Sequence, residues 1–319
     1  MQTPRSTFSL RKLWIAGAAA VSLLAPSVVV AEQAVQGPAP AASIGTYAPE
    51  GSGPGLWVIR DADSTLYLFG TFHALQPDTP WRTAAADAAF ASADEYWFEV
   101  ADLTAVGDAG SIIMQKGLSP SRPLSSLLTP DEMASLDKAA RTVGLSGAQL
   151  DPMRPWFASL NLALATITQA GFKAENGGDH VLHAMAEATG KPIKGFETVP
   201  QQIGFFADLD EDSQLQVLRS SLADFEAGAD QVNQMVKLWA IGDVDGLDDM
   251  IGKASRTDAP KMYETIFTAR NKDWANQVEH LLQGSGTAFI SVGAGHLAGP
   301  DSLQVQLEAR GIRVERVVP

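Results

Sequence analysis

The chain contains no cysteine among its 319 residues. That excludes a disulfide scaffold, a cysteine nucleophile, a thiolate metal site and lipid attachment at a mature N-terminal cysteine. Positive charge is also scarce: Lys+Arg is 23 against 37 Asp+Glu, a formal charge of −14. A surface this acidic does not attract nucleic acid or anionic lipid through bulk electrostatics. Histidine occurs only five times, as His73, His180, His183, His280 and His296. Any metal must therefore be held by a few imidazoles together with carboxylates and water. H-E-x-x-H, G-x-S-x-G, P-loop and G-x-G-x-x-G motifs are all missing. With 45% hydrophobic and 19% charged residues, the composition is that of a globular protein.

Only one long apolar run is present, and it lies at the N-terminus. Arg5, Arg11 and Lys12 precede the apolar stretch Leu13–Val30, and Val29-Val30-Ala31 offers small residues for cleavage. This is the pattern of a signal peptide cut after Ala31, leading to a periplasmic or secreted protein with no stable membrane insertion after cleavage. Gln33 to Gly55 is rich in Ala, Pro and Gly and reads as a flexible linker. Residues 55–319 are expected to form a single domain.

Two stretches organise that domain. Leu66-Tyr67-Leu68-Phe69-Gly70-Thr71-Phe72-His73 is an apolar run ended by glycine, with histidine three residues on. Ala288-Phe289-Ile290-Ser291-Val292-Gly293-Ala294-Gly295-His296 repeats the construction. Each reads as a buried strand whose histidine emerges at the carboxyl end, the edge where open α/β sheets bind ligands. Gly-x-x-His alone is a weak signal. Chance gives about 0.4 such pairs for 28 Gly and 5 His, and the chain has three. The third, Gly177 to His180, follows a polar segment rather than a strand.

Between these stretches the expected elements follow in order. Gly55–Arg60 and Thr65–Gly70 form a hairpin. A helix over Arg82–Ala93 leads to the strand Glu95–Val100, making a parallel βαβ unit that sends Glu99 to the edge holding His73. Helices follow from Thr129, from Asp151 to about Gln169, and from Asp179 to Thr189. Lys191–Glu197 is a short strand ending in a second carboxylate, Glu197. Lys261–Leu282 reads as one long helix carrying Arg270, Asn271 and Trp274. A strand over Thr287–Val292, a helix over Asp301–Arg310 and a strand over Arg313–Val318 complete the chain. The expected fold is α/β (mixed α+β): a central, mostly parallel sheet with an N-terminal hairpin and a large helical insertion over about 105–285.

Two histidines and a carboxylate form a ligand set for a catalytic divalent metal. His73, His296 and Glu99 are the candidate ligands. Glu99 or Glu197 could take a proton from water, and Arg270 could steady an oxyanion. His180 and His183 share a helix face and read as solvated; His280, late in a helix, reads as structural.

The ordered set Leu68-Phe69-Gly70-Thr71-Phe72-His73, Glu99, Met153-Arg154-Pro155-Trp156, Asp179, Gly195-Phe196-Glu197-Thr198 with Gln201 or Gln202, Arg270-Asn271 and Val292-Gly293-Ala294-Gly295-His296 resembles the TraB/GumN family. That family is related to the TIKI proteins and more distantly to erythromycin esterase. The resemblance implies an exported protein with a metal-dependent hydrolase site that takes manganese or cobalt, with zinc a further candidate for the ligand set; the expected substrate is a peptide or other small polar molecule. It maps His73, His296 and Glu99 to metal or catalytic positions and Arg270 to a supporting arginine. It also leaves two other readings open: a metal-free esterase-like hydrolase using the same His/Glu set, and a non-catalytic envelope protein linked to exopolysaccharide.

Overall fold

A computed structural model describes residues 45–103, 106–223 and 225–318. The expected signal peptide and cleavage site lie outside the described residues. Its central feature is a six-stranded sheet. The strands are β2 (Leu56–Arg60), β3 (Ser64–Thr71), β5 (Glu95–Val100), β6 (Ile193–Glu197), β7 (Gly286–Gly293) and β8 (Val314–Val317). They lie in the order β6-β5-β7-β3-β2-β8. The neighbours β6, β5, β7 and β3 are parallel, whereas β2 is antiparallel to both β3 and β8. The fold is α/β with a mixed, mostly parallel sheet, as the strand patterns imply. Two short strands, β1 (Thr46–Tyr47) and β4 (Pro80–Arg82), pair separately. The end of the expected linker is therefore hydrogen-bonded structure.

Alternation along the buried strands feeds two cores. Leu66 and Leu68 of β3, with Ile290 and Val292 of β7, face Trp274 and the helix Leu303–Glu308. Phe69 and Phe289 point to the other face, against Phe90, Tyr96 and Trp239. A separate helical layer, built from Pro130–Thr142, Pro155–Gln169 and Glu211–Ala223, has its own core around Leu136, Leu162 and Leu218.

Several boundaries and pairings differ from the sequence reading. The helix expected from Arg82 begins at Ala84, because Thr83 caps it by accepting from Ala86 N–H and Pro80–Arg82 is already a strand. β3 and β5 are parallel but not adjacent; β7, almost 200 residues later, pairs between them. The expected single helix over Lys261–Leu282 is interrupted by a π-helical turn, Glu264–Thr268, between Pro260–Tyr263 and Ala269–Leu281. His183 is not on a solvated face. It is buried, with Nε2 2.9 Å from Ala101 O and its ring against Phe98. His280 is exposed.

Candidate functional site

Four parallel strands deliver their carboxyl ends to one edge. Glu197 closes β6 and Glu99 is the penultimate residue of β5. β7 ends at Gly293 and runs into the turn Ala294–Leu297 that carries His296. β3 ends at Thr71, paired with Gly293, and His73 follows two residues later. His73 Nε2 and His296 Nε2 each lie 4.0 Å from Glu99 Oε1. The two Gly-x-x-His segments therefore meet around one carboxylate, and Gly293 sits at the crossing. A Cβ there would stand 2.9 Å from His73 Nε2 and 3.1 Å from Glu99 Oε1. Its N–H donates to Glu99 Oε1 at 2.8 Å.

Arg270, two residues beyond the π-helical turn, ties the carboxylates together. Its Nε donates to Glu197 Oε1 at 2.8 Å, and Nη2 donates to Glu197 Oε2 at 2.8 Å and Glu99 Oε2 at 2.7 Å. Nη1 lies 3.0 Å from His296 Nε2. The guanidinium is buried over the Trp274 ring, 4.7 Å from its centroid. A π-turn shifts the register of a helix locally and often marks a functional site; here the same turn also sets Phe267 against His296.

Each histidine is held from behind. His296 Nδ1–H donates to Asn271 Oδ1 at 2.7 Å, while Asn271 Nδ2 donates to Asp301 O at 2.8 Å. This tautomer leaves the Nε2 lone pair facing Glu99 and Arg270. His73 Nδ1 lies 3.3 Å from Asp179 Oδ2. Asp179 arrives there because the helix Gly178–Thr189 starts against the His73 backbone: Gly178 N–H donates to Phe72 O at 2.8 Å. Gly177 permits this approach, since a Cβ on it would stand 2.2 Å from His73 O. The partner roles of Asp179 and Asn271 have no local signature. Both residues belong to the ordered set that resembles the TraB/GumN family, but that resemblance gives neither of them a role.

The electrostatics divide the two glutamates. Burial opposes ionisation of Glu99, but Arg270, the imidazoles and the Gly293 N–H outweigh it and hold the carboxyl at about 2. Burial dominates at Glu197 and raises its pKa despite Arg270. Burial also drives His296 well below the usual imidazole value, with Arg270 acting in the same direction. For His73, burial favours the neutral ring, but Asp179 and Glu99 reverse the balance and raise its pKa. Glu197 accepts from Arg270, from Gln202 Nε2 at 3.0 Å and from Trp274 Nε1 at 2.9 Å. It is saturated as an acceptor, so orienting Arg270 suits it better than abstracting a proton.

The donor types fit a borderline divalent ion. Two imidazole Nε2 atoms face inward, a carboxylate oxygen lies 4.0 Å from each, and Asp179 and Asn271 stand at the rear positions usual for metal-binding histidines. Two buried glutamates, Glu99 and Glu197, share the single Arg270 guanidinium, and a third buried carboxyl, Asp179, lies beside His73. The spacing is looser. A tetrahedral ion with ligands at about 2.05 Å sets them about 3.3 Å apart, less than the 4.0 Å found here. Among the described residues no group of three His, Asp or Glu stands at metal-holding distance. Binding would require the ligands to close in and Arg270 Nη1 to leave His296.

These features define an α/β protein with a buried His–Glu–Arg site at the carboxyl edge of its sheet. The TraB/PrgY/gumN family model matches residues 55–316, and the chain belongs to that family. No curated protein and no solved structure matches it.

Proposed function

We propose that the chain is an exported metal-dependent hydrolase whose favoured substrate is a peptide bond. The observation that carries this reading is the convergence of His73 Nε2 and His296 Nε2 on Glu99 Oε1, with Arg270 against the same carboxylate. His73, His296 and Glu99 would hold the ion. When bound, it would acidify water and polarise the substrate carbonyl. Asp179 orients His73, and Asn271 orients His296. Arg270 offsets the charge of Glu99 and Glu197, and its Nη1, once released from His296 Nε2, could meet developing oxyanion charge. Export rests on the signal-peptide pattern before Ala31.

The arrangement also favours a second reading, metal-free hydrolysis. Asp179 behind His73 makes a carboxylate–imidazole pair with the Nε2 lone pair free to accept a proton from water, and Arg270 satisfies His296 without an ion.

The test is hydrolysis of a fluorogenic peptide and ester panel by the mature chain, with and without chelator, beside folded His73→Ala. Turnover lost with chelator and restored by Mn, Co or Zn supports the metal reading. Turnover indifferent to chelator but lost in His73→Ala supports the second. Activity in His73→Ala equal to the parent sinks both.

A further inference from the structure

Beside His73 lies a small pocket of about 20 Å³. Four buried polar atoms that find no hydrogen-bond partner within the chain belong to residues lining it: His73 Nδ1, Asp179 Oδ1, Gln202 Oε1 and Ser291 Oγ. Exposures are 8% for His73, 7% for Asp179, 1% for Gln202 and 1% for Ser291. Gln202 Nε2 donates to both Glu99 Oε2 and Glu197 Oε2 at 3.0 Å, and Asp179 Oδ2 stands 3.3 Å from His73 Nδ1 without an aligned hydrogen bond. Buried polar atoms without partners are costly. The residues that carry these four atoms all line the same pocket.

We propose that this cavity is a binding site for a single water molecule, through which Asp179, Gln202 and Ser291 act as positioning residues for His73. The volume suits one water, which needs roughly 10–15 Å³ by a comparable measure and two to four polar partners. The hydrogen inventory closes. The water donates to Asp179 Oδ1 and to Gln202 Oε1, and accepts from Ser291 Oγ–H and His73 Nδ1–H. A metal ion in this cavity would have to face the Nδ1–H instead. The bound water keeps the proton on His73 Nδ1 and the lone pair on Nε2, toward Glu99. It also fixes the Gln202 amide, whose reversal would aim an oxygen at two carboxylates. One site thus couples the tautomer of His73 to the placement of Glu99 and Glu197, whatever reaction the site supports.

A high-resolution crystal structure of the mature chain tests the site, and ¹⁵N NMR of the imidazoles in the parent, Ser291→Ala and Ser291→Val tests its role. The structure is expected to show one water about 2.7–3.2 Å from the four atoms. Density with contacts of about 2.0–2.2 Å, the signature of a metal ion, or a cavity without density, would overturn the proposal. Ser291→Ala leaves the water three partners and should retain the Nδ1–H tautomer of His73. Ser291→Val fills the cavity and should shift the tautomer ratio roughly tenfold, the size of one unsatisfied buried hydrogen bond. Identical His73 spectra in the two variants would refute the positioning role. Should Ser291→Val not fold, the crystal structure of the parent still decides the site.

Discussion

Replacing Arg270 with methionine removes the one cation shared by Glu99 and Glu197 while keeping an unbranched apolar side chain over Trp274. Both carboxylates are buried, with side-chain exposures of 10% and 5%. Three charge-assisted hydrogen bonds to them disappear. Breaking a buried ion pair from one side costs about 3–5 kcal/mol, a large share of the roughly 5–15 kcal/mol that holds a domain. The loss should depend on pH, and its sign follows from linkage. Without Arg270, burial raises both folded-state carboxyl pKa values above the unfolded ones. The folded variant then binds more protons than the unfolded chain, so its stability falls as pH rises through the carboxylate range. Urea unfolding of Arg270→Met and the parent should give a deficit near 4 kcal/mol at pH 7.5 and a clearly smaller one at pH 4.5. Adding Glu197→Gln to Arg270→Met should recover part of the loss at pH 7.5. A deficit below about 1 kcal/mol, or one of equal size at both pH values, would refute the view that this guanidinium compensates buried charge.

Other consequences are as specific. Arg270 and the neighbouring imidazoles overcome burial and hold the Glu99 carboxyl down at about 2, below the ordinary carboxylate range, which corresponds to about 3 kcal/mol of stability present above that range and lost as pH falls toward 2; acid unfolding of Glu99→Gln should lack that dependence. Asn271→Leu leaves the His296 Nδ1–H without its acceptor and should cost about 1–3 kcal/mol in thermal or urea unfolding. If the site takes a metal, the same change should also weaken metal affinity about 10–100-fold in a competition titration. Gly177→Ala places a methyl 2.2 Å from His73 O and should destabilise by at least about 1–3 kcal/mol. Gly110→Ala, in the helix Val106–Gly117 with nothing within 4 Å of the new carbon, should be neutral or stabilising by up to about 1 kcal/mol.

Much of the site was legible because strands impose direction. An apolar run ending in glycine and followed by histidine announces a side chain at a sheet edge, and His73 and His296 both arrive there. Glu99 was placed on that edge by the same logic, although the pairing partner was not: β7 intervenes between β3 and β5, and sequence distance carries no record of that. Arg270 read equally well as a surface residue, because its two carboxylates come from strands 171 and 73 positions away. The π-turn was invisible, since Glu264–Thr268 has ordinary helical composition and only the tertiary demands on Phe267 and Arg270 reveal it. His183 misled because an i, i+3 pair of histidines looks solvated until Phe98 and Ala101 O are seen to enclose one of them. The family-like set left Gln201 and Gln202 as alternatives, and only the contacts of Gln202 Nε2 with Glu99 and Glu197 choose between them; Ser291 is an uncharged strand residue that nothing local distinguishes from packing.

The most direct test of the central claim is metal content. Residues 32–319 would be purified without a histidine tag, loaded with Mn, Co or Zn, and measured by mass spectrometry beside His73→Ala and His296→Ala. The account predicts about one ion per chain, lost in each variant. An ion retained when either imidazole is removed, or no ion in the parent after loading, would contradict it.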